Sequence, residues 1–261
     1  MNAASQPAEL VLRTESLSVN YGGVRALIDA SIDVHAGQLV GLIGPNGAGK
    51  TTFVDAITGF TPSRGSVALY GASIEQLPPH ARARRGLART WQSTELFDDL
   101  TVRGNLAVAC PPPSVLRLFG SIVTGKRAID PAIESALQLL DLLPFGEKFP
   151  PNLSQGYRKL VGVARALAAQ PCVLLLDEPA AGLDADESQV LGQRLRAVAD
   201  GGIATLLVDH DMDLVLTVSD YVYVLDFGVV IAQGTPEQVR KNPEVISAYL
   251  GRAGAEPAAQ R

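Results

Sequence analysis

The stretch Gly44–Thr52, GPNGAGKTT, matches G-x-x-x-x-G-K-[ST], a spacing whose chemistry is phosphate binding. Glycines 44, 47 and 49 permit backbone conformations that bring N–H groups close to phosphate oxygens, with Pro45, Asn46 and Ala48 completing the loop. Lys50 would reach the β- and γ-phosphates, and the hydroxyl of Thr51, ahead of Thr52, would ligate Mg2+. A second cluster, Asp177-Glu178-Pro179, follows the apolar run Leu174–Leu176. A buried acid there is costly unless a metal or hydrogen bonds compensate it. Beside a phosphate loop, Asp177 suits Mg2+ held through water, and Glu178 suits orienting or deprotonating an attacking water. His210 ends another apolar run, Leu207-Val208, where it would touch a γ-phosphate. Gln92 could ligate Mg2+ or water, and Tyr21 could stack on an adenine ring. Ser154 and Gly156 in Leu153–Tyr157 make a helix N-terminus that would accept an anion, although taken alone the segment is a plain capped helix. The bland alternatives are a glycine-rich turn, strand-end acids, a structural histidine and a solvated glutamine.

The elements that must position these groups follow from hydrophobic patterning. Leu39–Ile43 reads as a buried strand entering the phosphate loop, and Phe53–Ile57 as the first turns of a helix that Gly59 ends. Cys172–Leu176 and Ile203–Val208 are continuous apolar strands, with a helix over Glu187–Val198 between them. Such runs are expected where helices cover both faces of a parallel sheet. Leu10–Arg13, Leu17–Tyr21, Ala30–Val34, Val67–Tyr70, Tyr221–Leu225 and Val229–Ala232 read as further strands, with turns at Gly37, Pro62–Gly65 and Asp226–Gly228. The basic stretch His80–Arg89 reads as a solvent-exposed helical face. From about Glu95 to Ala169 the pattern turns helical, with Thr101 capping Val102–Ala109 and Asp130-Pro131 opening a segment through Leu143. Pro111–Pro113 must be a loop or short insert, and Val115–Phe119 beside it is either core or a partner patch. Two short helices, after Pro236 and Pro243, close the chain.

Composition narrows the class. The 261 residues fit one large domain, or a core with a smaller subdomain, and 47% are hydrophobic, as in ordinary globular proteins. A net charge of −5 with dispersed Lys and Arg reads as a solvated acidic surface and not as a nucleic-acid binder. The two cysteines, Cys110 and Cys172, lie far apart outside any C-x-x-C pattern, so neither a disulfide nor a metal site is expected, and a reducing cytoplasm suits the chain. No apolar run approaches the roughly 18 residues of a bilayer span, and the N-terminus lacks a secretory pattern. The expectation is a chain soluble by itself that reaches a membrane only by docking onto something that spans it.

Together these residues resemble the ATP-binding cassette (ABC) ATPases from about Leu10 to Leu250. Tyr21 stands at the aromatic A-loop position, Gly44–Thr52 at Walker A and Gln92 at the Q-loop. Leu153–Tyr157 stands at the signature, Cys172–Glu178 at Walker B, Ala181–Asp184 at the D-loop and His210 at the switch histidine. Gln155 and Tyr157 depart from the usual Leu-Ser-Gly-Gly-Gln, while Ser154 and Gly156 remain. The resemblance implies an α/β P-loop NTPase of ABC-cassette fold, with a RecA-like parallel-sheet core, an antiparallel β subdomain and an inserted α-helical subdomain at about 95–169. One domain would span 9–250, between a disordered 1–8 and a flexible 251–261. ATP and Mg2+ are the implied cofactors. Glu178 and His210 would be catalytic, and Tyr21, residues 44–52, Gln92, Ser154, Gln155, Gly156, Asp177 and Asp184 would hold nucleotide, with Thr51, Gln92 and Asp177 on the metal.

A finer likeness is to the ATPases of branched-chain amino-acid importers, carried by Gly86–Gln92, Asp177–Leu183, Asp209–Met212, Val224–Gly228 and the closing Asn242–Gly251. It implies a head-to-tail dimer with itself or a second related ATPase, two transmembrane permease subunits, and indirectly an extracytoplasmic solute-binding protein. The location implied is the cytoplasmic face of the inner membrane. Related importers take up urea or short amides. The alternative is a soluble ABC ATPase of DNA repair or translation, but such proteins usually carry paired cassettes, coiled coils or zinc insertions. This chain has one cassette, no heptads and no cysteine cluster.

Overall fold

The computed structural model describes residues 8–91, 95–110 and 130–253. Gln92 and the stretch holding Pro111–Pro113 and Val115–Phe119 lie outside the described residues. The main sheet has six strands in the order β10-β9-β3-β8-β7-β6. They are β3 (Leu39–Ile43), β6 (Leu87–Arg89), β7 (Val173–Asp177), β8 (Ala204–Val208), β9 (Tyr221–Asp226) and β10 (Val229–Gly234). Every neighbouring pair is parallel except the β9–β10 hairpin. That hairpin turns through Phe227 (φ 43°) and Gly228 (φ 81°), the left-handed pair that a two-residue hairpin loop demands.

The apolar runs of β3, β7 and β8 are buried end to end because their alternate residues face two different cores. Leu39, Ile43, Leu174, Leu176 and Leu207 face one core. It is shared with helices α3 (Val102–Ala107), α4 (Pro131–Leu139), α5 (Gln155–Ala168), α6 (Ala185–Asp200) and α7 (Met212–Val218). Val40, Leu42, Val173, Leu175 and Leu206 face the other, shared with α1 (Lys50–Thr58) and the second sheet. Each such side chain contributes about 1.5–3 kcal/mol on burial, which drives a strand apolar on both faces into the middle of three layers.

The second sheet is antiparallel, β2-β1-β4-β5, made by β1 (Leu10–Tyr21), β2 (Val24–His35), β4 (Arg64–Leu69) and β5 (Ala72–Ser73). The two strands expected at Leu10–Arg13 and Leu17–Tyr21 are one. The register slips between Thr14 and Leu17 while Ser16 takes φ 51°, so the break in alternation is a bulge inside a continuous strand. Caps fall where expected. Thr101, Asp130 and Ser154 accept N–H groups from Gly104, Ala132 and Tyr157 at the starts of α3, α4 and α5. The chain closes with α8 (Pro236–Arg240) and α9 (Pro243–Ala253), the latter running past Leu250 into the stretch read as tail.

The basic stretch at 80–89 is a solvated helical face only in part: His80, Arg84 and Arg85 are exposed, but Arg82 is not. It forms a short α2 (Pro79–Arg84) and then β6. Arg82 is buried, donating to the carbonyls of Ala56 (2.8 Å) and Ile57 (2.5 Å) at the end of α1, and to those of Leu77 (2.9 Å) and Glu75 (2.7 Å). Burial lowers its pKa, and the charge of Glu75 opposes that. The guanidinium is therefore a C-terminal cap for the helix that carries the phosphate loop. Arg82→Ala is expected to lower unfolding stability by about 2–4 kcal/mol, because charged hydrogen bonds are lost and carbonyls are left buried. Urea denaturation reads this directly, and an unchanged midpoint would refute the capping role.

Candidate active site

Parallel strands deliver their carboxyl ends to one edge, where ligands of open α/β sheets bind. Here β3 ends at the phosphate loop, β7 at Asp177-Glu178, β8 at Asp209-His210 and β6 at Arg89. In the loop, Gly47 has φ 79° and Asn46 and Gly47 are exposed, so their backbone faces solvent. A Cβ on Gly44 would lie 2.1 Å from the Leu225 carbonyl oxygen, and one on Gly49 2.5 Å from that of Ala26, so side chains there would push the loop off β9 and the β1–β2 hairpin. Pro45 and Ala48 close the turn through the bond from Ala48 N–H to the Pro45 carbonyl (3.0 Å). Lys50, 6% exposed, spans the loop and donates to the carbonyls of Gly44 (2.6 Å) and Pro45 (3.2 Å). No side chain caps α1, so no cap bond occupies the N–H groups of its first turn at Lys50, Thr51 and Thr52, and Thr51 itself is exposed.

At the end of β7, Asp177 is 4% exposed and its Oδ2 accepts from Arg89 Nη2 at 2.7 Å. The other guanidinium nitrogen of Arg89 donates to Asp55 Oδ1 on α1. Glu178 holds φ 46°, a left-handed conformation that a non-glycine residue keeps only when its surroundings impose it. Its amide donates to the Val208 carbonyl (2.7 Å), and its Oε2 lies 3.8 Å from His210 Nδ1. Asp209 is fully buried and accepts N–H bonds from Ala180 (3.3 Å), His210 (2.8 Å) and Asp211 (3.1 Å). It also lies 3.4 Å from His210 Nδ1, so the imidazole sits between two carboxylates with its exposed face toward solvent. Burial lowers the Lys159 ammonium on α5, and the charges of Asp209 and Glu178 pull it back up.

The remaining expected residues lie on other elements. Tyr21 is half-exposed at the end of β1, with its hydroxyl 3.1 Å from that of Thr61, on the hairpin that passes the loop at Ala26. Ser154 and Gln155 are exposed at the start of α5, and Gly156 N–H donates to Glu187 Oε1 at 3.3 Å. Gln155 reaches the turn at Gly182, where a Cβ would meet its side-chain nitrogen at 2.8 Å. Asp184 caps α6, accepting from Glu187 N–H at 2.8 Å. The structure thus gathers the phosphate loop, Asp177, Glu178 and His210 at one sheet edge, and leaves Ser154 exposed and Gly156 half-buried against Glu187 at the start of α5. Sequence reasoning missed Arg89, Asp209 and Tyr249. Burial pushes the Tyr249 phenol on α9 up to about 12, the Gly44 backbone lowers it, and Asp226 raises it. The available cue for Asp209 was an acid ending an apolar strand, the same cue that marked Asp177.

A nucleotide-binding ATPase of a transport complex is what this arrangement matches among known proteins. The sequence model of a family described as ABC transporter covers residues 27–181, more than half of the chain. This chain belongs to that family. A second, described as branched-chain amino acid ATP-binding cassette transporter, covers residues 229–255. Along its length the chain is 38% identical to the high-affinity branched-chain amino acid transport ATP-binding protein LivG of Escherichia coli K12, over 95% of this chain and all of that one. It is 37% identical to BraF of Pseudomonas aeruginosa, described in the same words, over 93% of this chain and 98% of that one. A solved ATP-binding cassette of an ABC transporter in its ADP conformation superposes with a TM-score of 0.79 at 30% identity, covering 93% and 99% of the two chains. Members of the family bind and hydrolyse ATP and work with permease subunits, and the cassette fold expected from the sequence is the fold observed. Among the described residues no helix is long and apolar enough to cross a membrane.

Proposed function

We propose that this chain is the energy-coupling ATPase subunit of an importer for branched-chain amino acids or related small polar solutes such as amides or urea. The observation that carries the importer class is the match of residues 229–255 to the branched-chain amino acid cassettes, joined to full-length similarity with LivG and BraF. Mg2+ is the proposed metal. The Thr51 hydroxyl and the Asp177 carboxylate are hard oxygen donors, as that ion prefers, and the first-turn amides of α1, which no side chain caps, suit phosphate. Lys50 would bind and orient the terminal phosphates. Glu178 would take a proton from the attacking water, with His210 held beside it by Asp209. Asp184 and Gln155 would line the same closure from the D-loop and signature, Tyr21 would stack on the base, and Gln92 would complete the metal's shell.

Ser154 and Gln155 are exposed at the start of α5, an element separate from the phosphate loop, which favours a head-to-tail dimer in which each signature covers a partner's nucleotide. The partner would be a second copy or a related ATPase. A cavity of about 790 Å³ between the end of β6 and helix α5, lined by Phe60, Arg89, Trp91, Phe97 and Arg165, is the groove offered to the permeases. The chain would then sit on the cytoplasmic face of the inner membrane, with the solute captured outside by a binding protein. The branched-chain amino acid transport relatives disfavour a soluble role in DNA repair or translation. Ser154→Arg is expected to abolish ATP hydrolysis and uptake of labelled leucine, amides and urea by cells carrying it, while the isolated chain still binds ATP. Uptake of all of these at the unaltered rate would contradict the importer reading.

A further inference from the structure

Arg89 has more partners than a strand-end arginine needs. Its guanidinium forks between Asp55 on α1 and Asp177 at the end of β7, and its centre lies 4.2 Å from the centroid of the Trp91 ring. The side chain is 7% exposed and that of Asp177 5%, while Asp55 is 27% exposed and the Trp91 residue 51%. Arg89 Nε is buried and, among the described residues, has no hydrogen bond. Trp91 in turn packs edge-on against Phe60, at 5.2 Å and 73°, where both line the cavity. A charge this buried is stable only while it stays paired, so the guanidinium must follow its carboxylates.

We propose that Arg89 is a positioning residue: it fixes the Asp177 carboxylate against α1 and couples the charge state at Asp177 to the position of Trp91 in the groove. The proposal rests on Asp177 being a metal carboxylate. A dication near Asp177 weakens that carboxylate's hold on the guanidinium and repels it. The guanidinium then shifts toward Asp55 and toward the indole face, its two remaining partners. The change at Trp91 is electrostatic and local, since a cation over an indole ring acts through the quadrupole of the ring. Coupling is reciprocal, so a helix or loop that moves Trp91 on entering the groove would change Mg2+ affinity at Asp177 by the same factor.

The chain has a single tryptophan, so its intrinsic emission reports on Trp91 alone. Full-length protein saturated with ADP is titrated with Mg2+ while emission is recorded, and nucleotide binding is followed in parallel by calorimetry. The expected result is an Mg2+-dependent shift in emission that saturates with the Mg2+-dependent gain in ADP binding. Arg89→Met should lose that shift while still binding ADP, and Arg89→Lys, which keeps a cation near the ring but cannot fork, should keep part of it. Wild-type protein that binds ADP more tightly with Mg2+ yet shows no change at Trp91 would overturn the proposal without any variant. So would a full shift in Arg89→Met. If Mg2+ leaves both ADP binding and emission of the wild type unaltered, the metal reading of Asp177 fails first and takes this inference with it.

Discussion

Glu178→Gln lowers ATP turnover by about 10²- to 10⁴-fold and leaves ATP binding in place, the scale expected when a general base is removed from a water attack. Glutamine matches glutamate in size, so the hydrogen bond from the backbone N–H of residue 178 to the Val208 carbonyl and the left-handed turn at φ 46° are retained. What is lost is the carboxylate 3.8 Å from His210 Nδ1. Turnover is read as phosphate release, and assembly as size in solution with ATP and Mg2+. The variant should accumulate as an ATP-bound dimer, because closure is permitted and the step that reopens it is blocked. Turnover within a few-fold of the unaltered protein would move the base elsewhere.

The second large effect is at Lys50. Its ammonium is 6% exposed and bonded to two carbonyls of the loop that it spans. On this account those bonds hold it beside the phosphate position before nucleotide arrives. Lys50→Ala removes the cation that the loop would turn toward the terminal phosphates, and removes two ties that fix the loop. Hydrolysis should fall on the order of 100-fold or more, the scale of losing an oriented charge at a developing anion. Calorimetry with ATP and a phosphate-release assay separate the effects on binding and turnover. Unchanged values in both would refute the assignment of residues 44–52.

The parts of the site that could be read from the sequence are those whose chemistry is local. The loop at 44–52 carries its own glycines, its own lysine and the strand and helix on either side. The runs of β3, β7 and β8 announce two buried faces, and Asp177 and His210 are visible because polar groups end those runs. Arg82 and Arg89 were hidden for the opposite reason. Each belongs to a basic stretch that resembles a solvated face, and only tertiary partners show otherwise. Arg89 meets Asp177 across 88 residues of chain, and Arg82 meets Ile57 across 25. The bulge at Ser16 was lost because one extra residue breaks the period of two just as a loop does. Tyr249 was missed because a helix at the end of the chain returns to the neighbourhood of Gly44, a closure that periodicity does not encode.

The central claim, that this ATPase drives an importer, is tested most directly by capture of its partners. Tagged Glu178→Gln protein is recovered from native membranes solubilised in mild detergent, with and without ATP, and the co-purifying proteins are identified. The account predicts two polytopic permeases, alone or with a second cassette ATPase, and a binding protein encoded with them that takes branched-chain amino acids, amides or urea. Recovery of ribosomes or nucleic-acid factors and no permease would contradict it.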